Sequence, residues 1–224
     1  MFAKTGNTGK PEDRSPMVRR SSGLPVIARA FIIFQTDGRG VEEGTRARLL
    51  RRGVHVASAG LLSYYLLPPD MYGTGLPREA VVLVFLVPVL AVEAYRWKRR
   101  PEIYGLRENE KKRVSAVAWG AVGLALAFVL FPQNIVVPCV LGLALVDPLI
   151  GELRQGWPRG YPWAPAAVYF LICLALGIGW APSLLATAVA LAAEAPKVAQ
   201  VDDDFRMLVA PLVALWLWGR FFGL

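Results

Sequence analysis

Leu145-Val146-Asp147-Pro148-Leu149-Ile150-Gly151-Glu152-Leu153-Arg154 is the stretch on which the reading of this chain turns. It closes an apolar run, Asn134 to Val146, that contains no charged residue. An Asp at the centre of a bilayer helix costs roughly 2.5–3.5 kcal/mol even on lenient insertion scales. A sequence keeps such a group where it is paired, hydrated, bound to metal or used. Asp147-Pro148 also has the form of an N-cap followed by proline at the first helical position. The helix is therefore expected to break at Asp147 and to restart as a half-helix through Arg154. A restart of that kind aims free backbone N–H groups and a positive dipole end at an anion. The plainer reading is an Asp at headgroup level, with Pro148 ending the helix.

Composition says why an apolar run means a membrane here. Of the 224 residues 55% are hydrophobic, and the 19% that are charged lie in clumps between apolar runs. Several windows approach the roughly 20 apolar residues that a spanning helix requires. The expected fold class is all-α integral membrane, a polytopic bundle of about seven transmembrane helices, with no internal repeat. The balance of 25 Lys and Arg against 17 Asp and Glu gives a net charge of +8. In a soluble protein that would suggest nucleic acid. Here the basic residues flank the apolar runs, so topology and anionic headgroups account for them and no nucleic-acid partner is expected. Cys139 and Cys173 lie inside apolar runs and read as packed thiols.

Taken in order, residues 1–45 read as a polar, partly disordered cytoplasmic tail. Its apolar piece, Leu24–Phe34, carries Arg29 and is too short to span, so it reads as interfacial. Residues 46–224 form the transmembrane domain. Expected spans cover about Gly53–Leu67, Ala80–Ala94, Val114–Phe131, the run from Asn134, Ala164–Trp180, Ser183–Ala195 and Met207–Phe222. The most basic connection is Tyr95–Arg113. With the N-terminus cytoplasmic, only Arg78 and Arg220 fall among the outer segments, as the positive-inside rule favours.

Placed by depth, the costly residues gather at one leaflet. His55, Glu93, Asp147, Glu152, Glu194 and the Asp202–Asp204 triplet all fall at inner ends of spans. A transport pathway more often strings such groups across the midplane. Carboxylates without His or Cys neighbours suit hard cations, so Mg²⁺ is expected rather than zinc. An arginine- and lysine-rich loop suits phosphate. Together these are the parts for phosphoryl or nucleotidyl transfer, where positioning and charge neutralisation supply most of the acceleration. No Walker A or Gly-x-Gly-x-x-Gly loop is present. Each group also has a plain reading: a solvated turn for the triplet, an interfacial side chain for His55, a topology signal for the basic loop, and a helix-end ion pair with Arg96 for Glu93.

Four pieces in order resemble the integral-membrane superfamily of dolichol kinase, phytol kinase, CTP-dependent diacylglycerol kinases and phosphatidate cytidylyltransferase. Arg51-Arg52-Gly53-Val54-His55 is similar to that family's Arg-Lys-x-x-His opening of the first helix. Arg107-Glu108-Asn109-Glu110-Lys111-Lys112-Arg113 resembles its Arg-Glu-x-Glu-Lys-Arg-Arg segment, before a helix ending in Leu130-Phe131-Pro132. Asp147 to Arg154 resembles its Asp and Gly element. Glu194, then Asp202-Asp203-Asp204 and Pro211, resemble its late Glu and the Asp-Asp-Asn before the last helix. The chain departs from the pattern at Val146, where Gly is common, and at Asp204, where Asn is. It also lacks a Lys-Thr-x-Glu-Gly element after the Asp motif.

The resemblance implies transfer of phosphate from CTP, or another nucleoside triphosphate such as ATP, to a lipid alcohol at the cytoplasmic leaflet. Asp147, Asp202, Asp203 and Asp204 would hold Mg²⁺. Arg52, Arg107, Lys111, Arg113 and Gly151 would take the triphosphate. Glu194 or Glu110 would orient the hydroxyl or the metal, and His55 would act as base or donate a hydrogen bond to phosphate beside Arg52. The short chain favours the polyprenol or diacylglycerol kinase type, in a prokaryotic plasma membrane. A cytidylyltransferase making a CDP-lipid is the first alternative. A non-catalytic membrane protein or transporter is the second, and the missing Lys-Thr-x-Glu-Gly element is its best support. A homodimer is left open.

Overall fold

The computed structural model describes residue 49 and residues 52–99, 113–195 and 200–222, the side chain of residue 155 excepted. The tail 1–45 and the candidates Arg107, Glu110 and Lys111 lie outside the described residues. Among the described residues the fold is all-helical, with seven helices. We label α1 the segment 52–66, which is α-helical over 52–58 and tightens to a 3₁₀ helix over Ala59–Leu66. There follow α2 (Glu79–Arg99), α3 (Ala116–Leu130), α4 (Gln133–Gly156), α5 (Trp163–Ala175), α6 (Trp180–Glu194) and α7 (Asp203–Phe222). A 3₁₀ turn, Pro158–Gly160, joins α4 to α5.

Among the described residues three helices are long and apolar enough to cross a bilayer: α2, α4 through Arg154, and α7. The remaining apolar helices of 10–17 residues are α3, α5 and α6. In α2 only Val82 and Arg96 are buried, whereas Leu83, Val84, Phe85, Val87 and Trp97 are exposed. An apolar outside around a buried arginine is what a lipid solvent selects, since the hydrocarbon accepts leucine and not guanidinium.

The longest helix, α4, is the core of the molecule and packs against α1, α3, α5 and α7. Its 24 residues rise about 36 Å. It runs without interruption through Pro138 and Pro148, so the expected break at Asp147 does not occur. Proline removes one hydrogen bond and bends a helix, but packed neighbours can hold the chain helical on both sides. No half-helix N-terminus is therefore offered at Asp147, and Gly151 lies within a helical turn.

Close packing fixes the rest. Gly142 lets α4 meet α5: a Cβ there would lie 2.3 Å from Tyr169 Cε2. Cys139 and Cys173 are buried free thiols, as their apolar setting predicts. On α6, Ala186 and Ala190 are wholly buried, one helical turn apart, a small-residue surface that admits a neighbouring helix closely. The start of α7 is seated on α3 by Phe205, whose ring lies 4.9 Å from Trp119 and against Gly123.

Candidate functional site

The helices α1, α4 and α7 bring three polar side chains to one point. His55 Nδ1 lies 3.6 Å from Asp147 Oδ2, and His55 Nε2 lies 3.4 Å from Asp204 Oδ2. One imidazole thus sits between two carboxylates from separate helices. A neutral imidazole carries one N–H and can donate to only one of them; the imidazolium can donate to both. Asp204 belongs to the first turn of α7, where Asp203 also lies and where the helix dipole favours negative charge. Asp202 just precedes that turn, and its carbonyl accepts from Arg206 N at 3.3 Å.

One ligand atom each from His55, Asp147 and Asp204 lie within 4.8 Å of one another, as do those of Asp202, Asp203 and Asp204. Atoms that share one divalent ion are at most about 4–5 Å apart, so either set fits with small adjustment. The structure corrects one premise of the sequence reading. The carboxylates do have a His neighbour, and a mixed nitrogen and oxygen set also suits Mn²⁺ or Zn²⁺.

Cations flank the cluster. Arg52 pairs with Glu152, and it passes beside Gly151, where a Cβ would make an ordinary 3.7 Å contact with Arg52 Nη2. Arg113 Nη2 lies 3.7 Å from Asp202 Oδ1, whose side chain is 2% exposed. Glu93 is the helix-end ion pair that its position suggested. It accepts from Arg96 Nε at 3.0 Å and Nη2 at 2.5 Å, and from the backbone N and Oγ of Ser115 at 2.9 Å each. Ser115 Oγ in turn accepts from Ala118 N and caps α3.

Glu194 stands apart from the cluster. Its carboxylate accepts from Arg154 Nη1 at 2.7 Å and Nη2 at 2.8 Å, and from the Tyr161 hydroxyl at 3.2 Å. The Arg154 guanidinium also lies over the Tyr161 ring, 4.5 Å from its centre. This clamp joins the ends of α4 and α6. Sequence reasoning did not find the partners of Glu194 or Glu152. The pairs are separated by 40 residues for Arg154 and Glu194, and only the fold makes them neighbours.

What the arrangement can do chemically is hold a divalent cation, hold or pass a proton at His55, and place guanidinium groups beside both. No family model matches the chain, and neither a curated protein nor a solved structure matches it.

Proposed function

We propose that this chain is a divalent-cation-dependent phosphotransferase that moves the γ-phosphate of CTP, or another nucleoside triphosphate, to a lipid alcohol. The observation that carries this reading is the meeting of His55, Asp147 and Asp204 from three helices, between Arg52 and Arg113, at one end of an apolar bundle. Lipid and nucleotide meet only at an interface, and a site at the end of a bundle serves both. By the positive-inside rule that end is cytoplasmic, in a seven-span arrangement, and the membrane is a prokaryotic plasma membrane.

In this reading Asp147 with Asp204, or the triplet, would hold Mg²⁺, which when bound would supply charge neutralisation for the polyphosphate. His55 takes the proton from the lipid hydroxyl as its oxygen bonds to the γ-phosphorus. The bond from that phosphorus to the β-bridging oxygen breaks, and the nucleoside diphosphate leaves. Arg113 holds phosphate charge; Arg52 does so once it parts from Glu152. The base need not be strong, because the transition state is loose. Grouping of the charges at one end argues against an ion path, which needs polar groups through the membrane.

The test incubates purified protein with Mg²⁺, a mixture of undecaprenol, dolichol, phytol and diacylglycerol, and γ-labelled CTP or ATP. Label passing to lipid with wild type and not with Asp147→Ala supports the reading and names the lipid class. A CDP-lipid formed from phosphatidate would instead identify a cytidylyltransferase. Neither product, together with gradient-dependent ion flux in vesicles, would assign the carboxylates to transport.

A further inference from the structure

We infer that Glu93 and Arg96, at the end of α2, are positioning residues that set the reach of Arg113 toward the aspartates; the inference rests on the proposed phosphotransfer reading. Four hydrogen bonds converge on the Glu93 carboxylate, two from Arg96 and two from Ser115. Arg96 Nη2 also donates to the Arg113 carbonyl oxygen at 2.5 Å. The peptide from Arg113 to Ser115 is thereby held at both ends by side chains of α2. Both holders are withdrawn from solvent, the Arg96 side chain at 7% exposure and Glu93 at 12%.

What is held is the backbone that carries the Arg113 guanidinium, which faces Asp202 at 3.7 Å, just before the turn that presents Asp204 to His55. A flexible side chain from a loose segment would lose much of its binding energy in ordering. A clamped backbone removes part of that cost, and small displacements of a charged group from its phosphate cost rate and affinity steeply. The network depends on the fork of arginine. Only a planar guanidinium reaches two carboxylate oxygens and a backbone carbonyl together; the ammonium of lysine keeps the charge and loses the geometry.

Glu93 and Arg96 therefore act without touching either substrate. The predicted signature is a change in KM for the nucleotide with little change in kcat, expressed through Arg113 alone. In full-length protein with Mg²⁺ and CTP, Arg96→Lys raises the nucleotide KM about tenfold and leaves kcat within about twofold. Arg113→Lys does at least as much. The double variant is no worse than Arg113→Lys, because the clamp has nothing left to position. A double variant worse by the product of the single effects overturns the inference.

A second measurement is independent of turnover. Thermal midpoints of Arg96→Lys, Asp202→Asn and the double variant should show losses smaller than additive, since both break one chain of contacts. Additive losses overturn the clamp whatever the enzyme does. Wild type that transfers no phosphate to any lipid, with a non-additive thermal cycle, overturns the functional reading and leaves the clamp standing as a structural link.

Discussion

The two ends of the bundle are built from different materials. At one end, four of the seven helices contribute ionisable side chains to pairs that cross from helix to helix: Arg52 with Glu152, His55 with Asp147 and Asp204, and Arg154 with Glu194; from α2, Arg96 holds the Arg113 carbonyl in the segment before α3. At the other, closure is aromatic and conformational. Arg78 stacks 5.2 Å from the Tyr64 ring and 5.7 Å from Tyr65, and Tyr64 donates to Glu79 at 3.3 Å. The turn there takes positive φ at Met71, Tyr72, Gly73 and Gly75. Such angles are cheap for glycine and cost about 1–2 kcal/mol for the other two. One end holds the chain together and little else. The other carries more charge than holding together requires, and charge removed from water without a task is selected against.

The comparison breaks most sharply at Asp147. Asp147→Asn is isosteric and leaves α4 packed, so the proposed lipid phosphorylation should fall by about 10³-fold while the thermal midpoint moves little. Matching falls in activity and midpoint would reduce the charged end to a structural device. Next comes Arg154→Ala, which leaves the Glu194 carboxylate, 5% exposed, without its fork. Because Arg154 is itself partly exposed, the loss should be about 1–3 kcal/mol, read by chemical denaturation in detergent; a neutral result would mean that water replaces the guanidinium. Gly142→Ala belongs to neither end. Overpacking against Tyr169 should cost about 1–3 kcal/mol and lower stability without changing the nucleotide KM. The smallest effect is reserved for the aromatic end. Arg78→Ala should cost about 0.5–1 kcal/mol and leave transfer rates of the folded protein unchanged, and a tenfold drop in rate there would erase the distinction between the ends.

Much of this was legible in the sequence, and the remainder fails for a physical reason. Apolar runs are local, so helices appear where they were expected, to within a few residues at most boundaries. Three of them are shown long enough to cross a membrane. The charged end was legible in outline, because where the chain reverses, the end of one helix and the start of the next come to the same side. Pairings were not. His55, Asp147 and Asp204 are far apart in the chain, and nothing in the spacing of any one helix says that one imidazole lies between two of the carboxylates. Glu93 with Arg96 was readable, being one turn apart, whereas its hold on Ser115, 22 residues on, was not. The Asp147-Pro148 dipeptide was misread because local capping preference is a weak term beside the packing of a central helix.

That unbroken helix has a mechanical side. Pro148 has no N–H to offer the Ala144 carbonyl, so α4 lacks a rung in the turn that carries Asp147. Below the gap, Val136, Val140 and Ala144 are wholly buried. Above it, Glu152 is fastened to α1 and Arg154 to α6. Pro138 leaves a similar gap lower down, but there the surrounding residues are packed, so the missing rung at Pro148 is the section of the shaft best placed to bend. Asp147 stands at that section, so the carboxylate nearest His55 sits where the backbone of α4 is least tied.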